Sequence, residues 1–159
     1  MVETPSNIYD EYFNLTEKYK KMYNGCVVVL LQVGAFFEIY GIKIKESDDI
    51  IGSSIENISE VCQLNISEKK ISYRNGNIVM AGFRDYTLDK YILKLTESGY
   101  TIPVYIQEKN GKTVTRVLEH VYSPGTLISC DTDSSQVMTN NIMSIWMETY
   151  KPTRRIGKT

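Results

Sequence analysis

A chain of 159 residues, 42% hydrophobic and 23% charged, has enough apolar mass to bury one core of ordinary domain size and is too apolar to be largely disordered. Its 18 basic and 19 acidic side chains leave a formal charge of −1, which excludes recruitment to nucleic acid by bulk charge alone. Three scattered cysteines (Cys26, Cys62, Cys130) without metal-ligand spacing, a polar start and no apolar run longer than Cys26 to Leu31 argue for a soluble intracellular protein with no membrane partner.

The first predicted element is a helix started by Thr4-Pro5 or Ser6, with Ile8, Tyr12, Leu15 and Tyr19 at helical spacing and Asn24-Gly25 as its end. Cys26 to Val33 is β-branched and almost wholly apolar, as a central strand covered on both faces would be. Gly34 breaks it, and Phe36 to Ile44 reads as a second strand of alternating character. After a polar stretch from Lys45 to Ile51, Ser53 or Ser54 can cap a short helix that turns Ile55, Ile58, Val61 and Cys62 inward. Asn75-Gly76 sits between the strand-like runs 71–74 and 77–80, and Asn110-Gly111 between 104–107 and 113–117, so each marks a tight hairpin. Between the hairpins, Asp85 caps a helix carrying Leu88, Tyr91, Ile92 and Leu95 that stops at Gly99.

The expected fold class is therefore α/β (α+β), a mixed sheet of about six strands flanked by about three helices in the order α-β-β-α-β-β-α-β-β. Ser123-Pro124-Gly125-Thr126 is a turn and Thr132 to Ser135 a polar linker. Ile142 to Met147 is one more strand-like run, followed by a tail from Lys151 to Thr159 with four basic residues and no acid.

Alternate residues of a strand share a face, so Phe37 and Ile39 can point to the core while Phe36, Glu38 and Tyr40 point the other way. A large aromatic held outside beside a carboxylate is an unusual pair. Taken alone, the pair reads as edge packing and a solvated charge.

The segment Gln32 to Gly41, with Gly34-Ala35-Phe36-Phe37-Glu38 at its centre, resembles the Gly-x-Phe-Tyr-Glu signature of MutS mismatch-recognition domains. Met80-Ala81-Gly82-Phe83, the helix from Leu88 through Gly99-Tyr100, the strand from Val104 to Glu108 and the ending Val121 to Thr126 are similar to later stretches of that family, in the same order. Asn140 to Trp146 resembles the opening strand of the family's connector domain. The resemblance implies a mismatch-recognition domain over 1–128, then a linker and the start of a truncated connector over 129–159. It implies that Phe36 enters the minor groove as an apolar wedge and stacks on a mispaired or unpaired base. Glu38 would hydrogen bond to the displaced base with a shared proton, and Gly34, Phe37 and Gly82 would support the motif. The implied partners are double-stranded DNA containing mismatches or unpaired bases, the remaining domains of the parent protein, and a second copy in a homodimer.

No catalytic residue, metal ligand or cofactor is expected in this chain. It contains no Gly-x-x-x-x-Gly-Lys-[Ser/Thr] loop, so the ATP and Mg²⁺ that the family uses are expected in an ATPase domain elsewhere. Weak DNA binding by this domain alone is expected, since few cations are available to neutralise phosphates. The sequence departs from common bacterial members in three places. Ala35 replaces an acid, Phe37 replaces Tyr, and Arg84-Asp85 stand where a Pro-Tyr-His-like stretch is usual, while Gln32 to Gly41 and Phe83 to Tyr105 resemble the branch found in large viruses and some organelles.

Two rival readings follow from the same residues. A relative serving recombination or genome maintenance would keep the fold without mismatch sensing. A metal-dependent nuclease would use Asp48-Asp49 and Glu68 of Glu68-Lys69-Lys70, carboxylates that otherwise read as solvated charges.

Overall fold

In a computed structural model, which describes residues 7–23, 26–110, 113–124 and 143–149, the polypeptide reverses direction at short polar turns and gathers its apolar strands into one sheet. The chain divides into two units, Met1–Ser129 and Cys130–Thr159. In the first, helix α1 (Ile8–Met22) leads into β1 (Leu30–Val33), β2 (Phe36–Ile44), β3 (Ile50–Ile51) and α2 (Ile55–Cys62). Then come β4 (Ser67–Tyr73), β5 (Gly76–Arg84), a 3-10 turn (Asp85–Thr87), α3 (Leu88–Glu97), β6 (Ile102–Asn110) and β7 (Thr113–Tyr122). The sheet has seven strands in the order β4-β5-β2-β1-β6-β7, with β3 paired to β2. β1 runs parallel to β6, and the other pairs are antiparallel. A mixed sheet carrying three helices is the expected α+β class.

Helices cover both faces. On one, Tyr9 and Tyr12 of α1 meet Tyr40 edge to face at 5.1 and 5.2 Å, and the Tyr19 and Tyr105 hydroxyls hydrogen bond at 3.0 Å. On the other, α2 and α3 pack through Ile55, Ile58, Ile92 and Leu95, and Tyr91 stacks on Phe83 at 4.1 Å. Val27 to Leu31 is consequently buried throughout, but the strand expected over Cys26 to Val33 forms only at Leu30–Val33, with Cys26 exposed and Gln32 and Val33 half-buried.

Several local details differ from expectation. The cap of α1 is Asn7, whose side chain accepts from the Tyr9 N–H at 3.4 Å; Thr4 to Ser6 and Asn24-Gly25 lie outside the described residues. Ser54 precedes α2 without a side-chain cap bond, and the Ser53 hydroxyl donates to the Tyr40 carbonyl. Ile50 and Ile51 form β3 inside the stretch read as polar, pairing with Lys43 and Ile42. The first hairpin turns one residue early: Tyr73 pairs with Gly76, so Arg74-Asn75 form the loop and Arg74 takes the positive φ of 52°. Gly76 serves the strand, since a Cβ there would lie 2.2 Å from the Lys43 carbonyl oxygen. In the second hairpin Asn110 pairs with Thr113, and its loop lies outside the described residues, as do Gly125 to Ile142 and the basic tail. Residues 143–149 form no strand, with Met143, Ile145, Trp146 and Met147 exposed. A strand needs a neighbouring backbone to bond, and apolar character alone does not supply one.

Candidate nucleic-acid interface

β1 and β2 are joined by the shortest of connections. Val33 pairs with Phe36, leaving Gly34-Ala35 as a two-residue turn with Gly34 at φ 61°. A glycine in the first central position and a positive φ there fit the type II′ geometry that matches strand twist. Nothing lies within 4 Å of where a Gly34 Cβ would stand, so backbone conformation alone demands the glycine.

Two long-range contacts hold this turn. The Gly34 N–H donates to Gln107 Oε1 at 3.0 Å, while the Gln107 N–H donates to Gln32 Oε1 at 2.9 Å, a reciprocal pair between β1 and β6. On the other side the Asp85 N–H donates to the Ala35 carbonyl at 3.0 Å. Arg116 braces the base of the hairpin, reaching the Gln32 carbonyl at 3.1 Å through Nε and Glu11 at 3.1 Å through Nη1. The residue after the turn is therefore presented from a clamped platform.

That residue is Phe36. It is 40% exposed, while Phe37 beside it is 3% exposed and packs 6.0 Å from Phe83 in the core. Phe36 pairs with Arg84 of β5, whose guanidinium lies over the Phe36 ring with its carbon 5.1 Å from the centroid. Such a contact at an exposed site is worth about 0.5–1 kcal/mol, enough to bias the ring's orientation. Tyr86, 79% exposed, stands in the adjoining 3-10 turn.

Glu38 lies two residues behind Phe36 on the same face. Its side chain is only 13% exposed, and Oε2 accepts from the Tyr40 hydroxyl at 2.5 Å and from Lys69 Nζ at 3.2 Å. Burial, and then the carboxylate that takes its hydrogen bond, push the Tyr40 phenol far above its ordinary value, so it stays a donor at any physiological pH. Lys69 also lies over the Tyr40 ring at 5.3 Å. The alternation read from the sequence holds, but its outward face is not open along its length. α1 covers Tyr40, and only Phe36 emerges at the sheet's end.

Gly82 pairs directly with Glu38. A Cβ at Gly82 would sit 2.7 Å from the Phe37 carbonyl oxygen and 3.5 Å from Glu38 Cγ. Gly34, Phe36, Phe37, Glu38 and Gly82 thus converge on one end of the sheet. The residues that sequence reasoning left out of the site are Arg84 over the ring, Lys69 and Tyr40 on Glu38, and the glutamine pair under the turn. The contacts of Lys69 and the glutamines span 31 to 75 residues, so no local pattern announces them.

The carboxylates of the nuclease reading are placed otherwise. Asp48 and Glu68 lie 3.0 and 3.9 Å from the same Lys43 ammonium, and Glu68 also accepts from Asn77 at 2.8 Å. Among the described residues no group of three or more His, Cys, Asp or Glu side chains is placed to hold a metal ion.

The family model for MutS domain I matches residues 8–131 of this sequence. The chain belongs to the MutS family. A mutS homolog of Acanthamoeba polyphaga mimivirus, named for DNA mismatch repair, is 27% identical over 147 residues, covering 91% of this chain and 12% of its own length. DNA mismatch repair proteins MutS of Parabacteroides distasonis and Thermosipho melanesiensis are each 28% identical, over 133 and 122 residues, covering 81% and 74% of this chain and 13% and 12% of theirs. The MutS domain I described above therefore spans about an eighth of the length of the relatives it matches.

Proposed function

We propose that this MutS domain I probes duplex DNA from the minor groove with Phe36 and Glu38, and binds mismatched or unpaired bases in preference to matched DNA. The observation that carries the reading is Phe36, an exposed aromatic on a turn clamped from both sides, with a carboxylate behind it on the same face. Opening a base step costs on the order of a few kcal/mol, and stacking on an aromatic returns roughly 1–3 kcal/mol per base. A matched step resists opening, while a mispaired or extrahelical base has already lost part of its stacking and pairing. Discrimination then comes from deformability, with little reading of base edges. Glu38 would act as acceptor for the displaced base. Its repulsion from nearby phosphates is offset by Lys69 at 3.2 Å.

On this reading the domain is a probe and not an enzyme. ATP and Mg²⁺ act elsewhere in the full-length protein, which holds the duplex as a homodimeric clamp, and this domain alone binds DNA weakly. An intracellular location follows from the same role, and no helix among the described residues is long and apolar enough to cross a membrane. The test compares affinities of the full-length protein for mismatched and matched duplexes. Phe36→Ala should lower their ratio by about tenfold or more, the loss of one stacked base. An unchanged ratio would overturn the wedge and favour a relative that keeps the fold without mismatch sensing.

A further inference from the structure

Arg84 pairs with Phe36 in the β2–β5 register, so the two side chains leave the sheet on the same face and at the same end. Its guanidinium lies over one face of the ring. A phenyl ring has two faces, and covering one leaves the other for a base. Three other cations of the sheet are committed to carboxylates: Lys69 to Glu38, Lys43 to Asp48 and Glu68, Arg116 to Glu11. Arg84 is exposed and forms no ion pair among the described residues. Its neighbour Asp85 is turned away to the backbone, where Oδ1 accepts from the Tyr86 N–H at 2.8 Å. In a chain of net charge −1, this guanidinium is a free positive charge placed at the exposed aromatic of the hairpin.

We propose that Arg84 is a second DNA-binding residue, whose guanidinium backs the Phe36 ring and engages a phosphodiester of the strand whose step the ring opens. This rests on the reading that Phe36 enters DNA. The planar fork of arginine suits both tasks, since it stacks on an aromatic and donates two parallel hydrogen bonds to a phosphate. Because Arg84 travels with the ring, it reaches that phosphate only when the ring is inserted. The contact is therefore made on mismatched DNA and not on matched DNA, although a phosphate carries no sequence information. A backbone contact of this kind raises specificity through the deformation that permits it.

The experiment measures dissociation constants of the full-length protein for one mismatched and one matched duplex over a series of salt concentrations. Each neutralised phosphate contributes about 0.9 to the slope of log affinity against log salt. Arg84→Gln should reduce that slope by about 0.9 on the mismatched duplex, leave the matched slope unchanged, and weaken mismatch binding several-fold. Arg84→Lys keeps the charge and should keep the slope. In a Phe36→Ala background, Arg84→Gln should have no further effect. Equal slopes for wild type and Arg84→Gln on the mismatch would overturn the proposal, and so would the same reduction on both duplexes, which marks a general surface cation. If Phe36→Ala lowers the mismatch-to-match ratio while Arg84→Gln changes no slope, only the role of Arg84 falls. If Phe36→Ala leaves the ratio intact, the wedge reading falls with it.

Discussion

Phe36 and Glu38 are separated by one residue, yet they depend on different supports. The ring depends on a turn and a cation beside it; the carboxylate depends on Tyr40 and Lys69, which hold one oxygen of a side chain only 13% exposed. Removing the lysine would leave that carboxylate with a single donor and no adjacent ammonium. Lys69→Met should therefore cost about 1 kcal/mol of stability, the upper end for a pair that is still partly solvated. It should also lower the preference for mismatched DNA several-fold, because the repulsion between Glu38 and phosphate is no longer offset. Tyr40→Phe deletes a hydrogen bond to a charged acceptor and should cost about 1.5–3 kcal/mol in urea unfolding. Wild-type stability in both variants would mean that the two contacts do not hold Glu38. The Phe-x-Glu spacing was legible in the sequence, whereas these partners lie across strands and were not.

Among the elements, the β1–β2 hairpin and the strand beside it act together. The break at Gly34 and the strand from Phe36 to Ile44 were readable from a glycine and an alternating pattern, and the structure places both where expected. β3 was hidden because two residues are too few to show a period. The first Asn-Gly marked a real hairpin with its loop one residue out, since the glycine was needed against a carbonyl. Gly82 illustrates the same point at the site. A methyl group 2.7 Å from the Phe37 carbonyl must push β2 and β5 apart, and that carbonyl lies between Phe36 and Glu38. Gly82→Ala should destabilise the domain by about 1–3 kcal/mol and also reduce the mismatch-to-match affinity ratio. An unchanged urea midpoint would show that the strands absorb the methyl freely.

Over the whole molecule, the core is rich in tyrosine: the Tyr19 and Tyr105 hydroxyls bond to each other, and that of Tyr40 donates to Glu38. Burial pushes Tyr12 up to about 12, and burial first, then hydrogen bonding, pushes Tyr40 and Tyr105 further up. In the unfolded chain these phenols titrate near the ordinary tyrosine value of 10.0. Their folded values are raised, so the stability they contribute is complete below pH 10 and is lost as pH climbs above it. Tyr12, which is buried completely, should cost about 1.4 kcal/mol per pH unit in that range. Cooperative unfolding by circular dichroism should therefore coincide with ionisation of these buried rings, read as the tyrosinate absorbance that Tyr12→Phe, Tyr40→Phe and Tyr105→Phe variants lack, between pH 10 and about 12. Tyrosinate absorbance from these rings without loss of structure would contradict this. The sequence by itself determined the α+β class, the burial of Val27 to Leu31, the alternation along β2 and the family resemblance, because each rests on local periodicity or a contiguous motif. Only the tertiary structure decided that α1 covers Tyr40 while Phe36 stays open, that Lys69 neutralises Glu38, and that Arg84 lies over the ring. Those facts depend on which strands become neighbours, and strand order is set by burial over the whole sheet and not by any one segment.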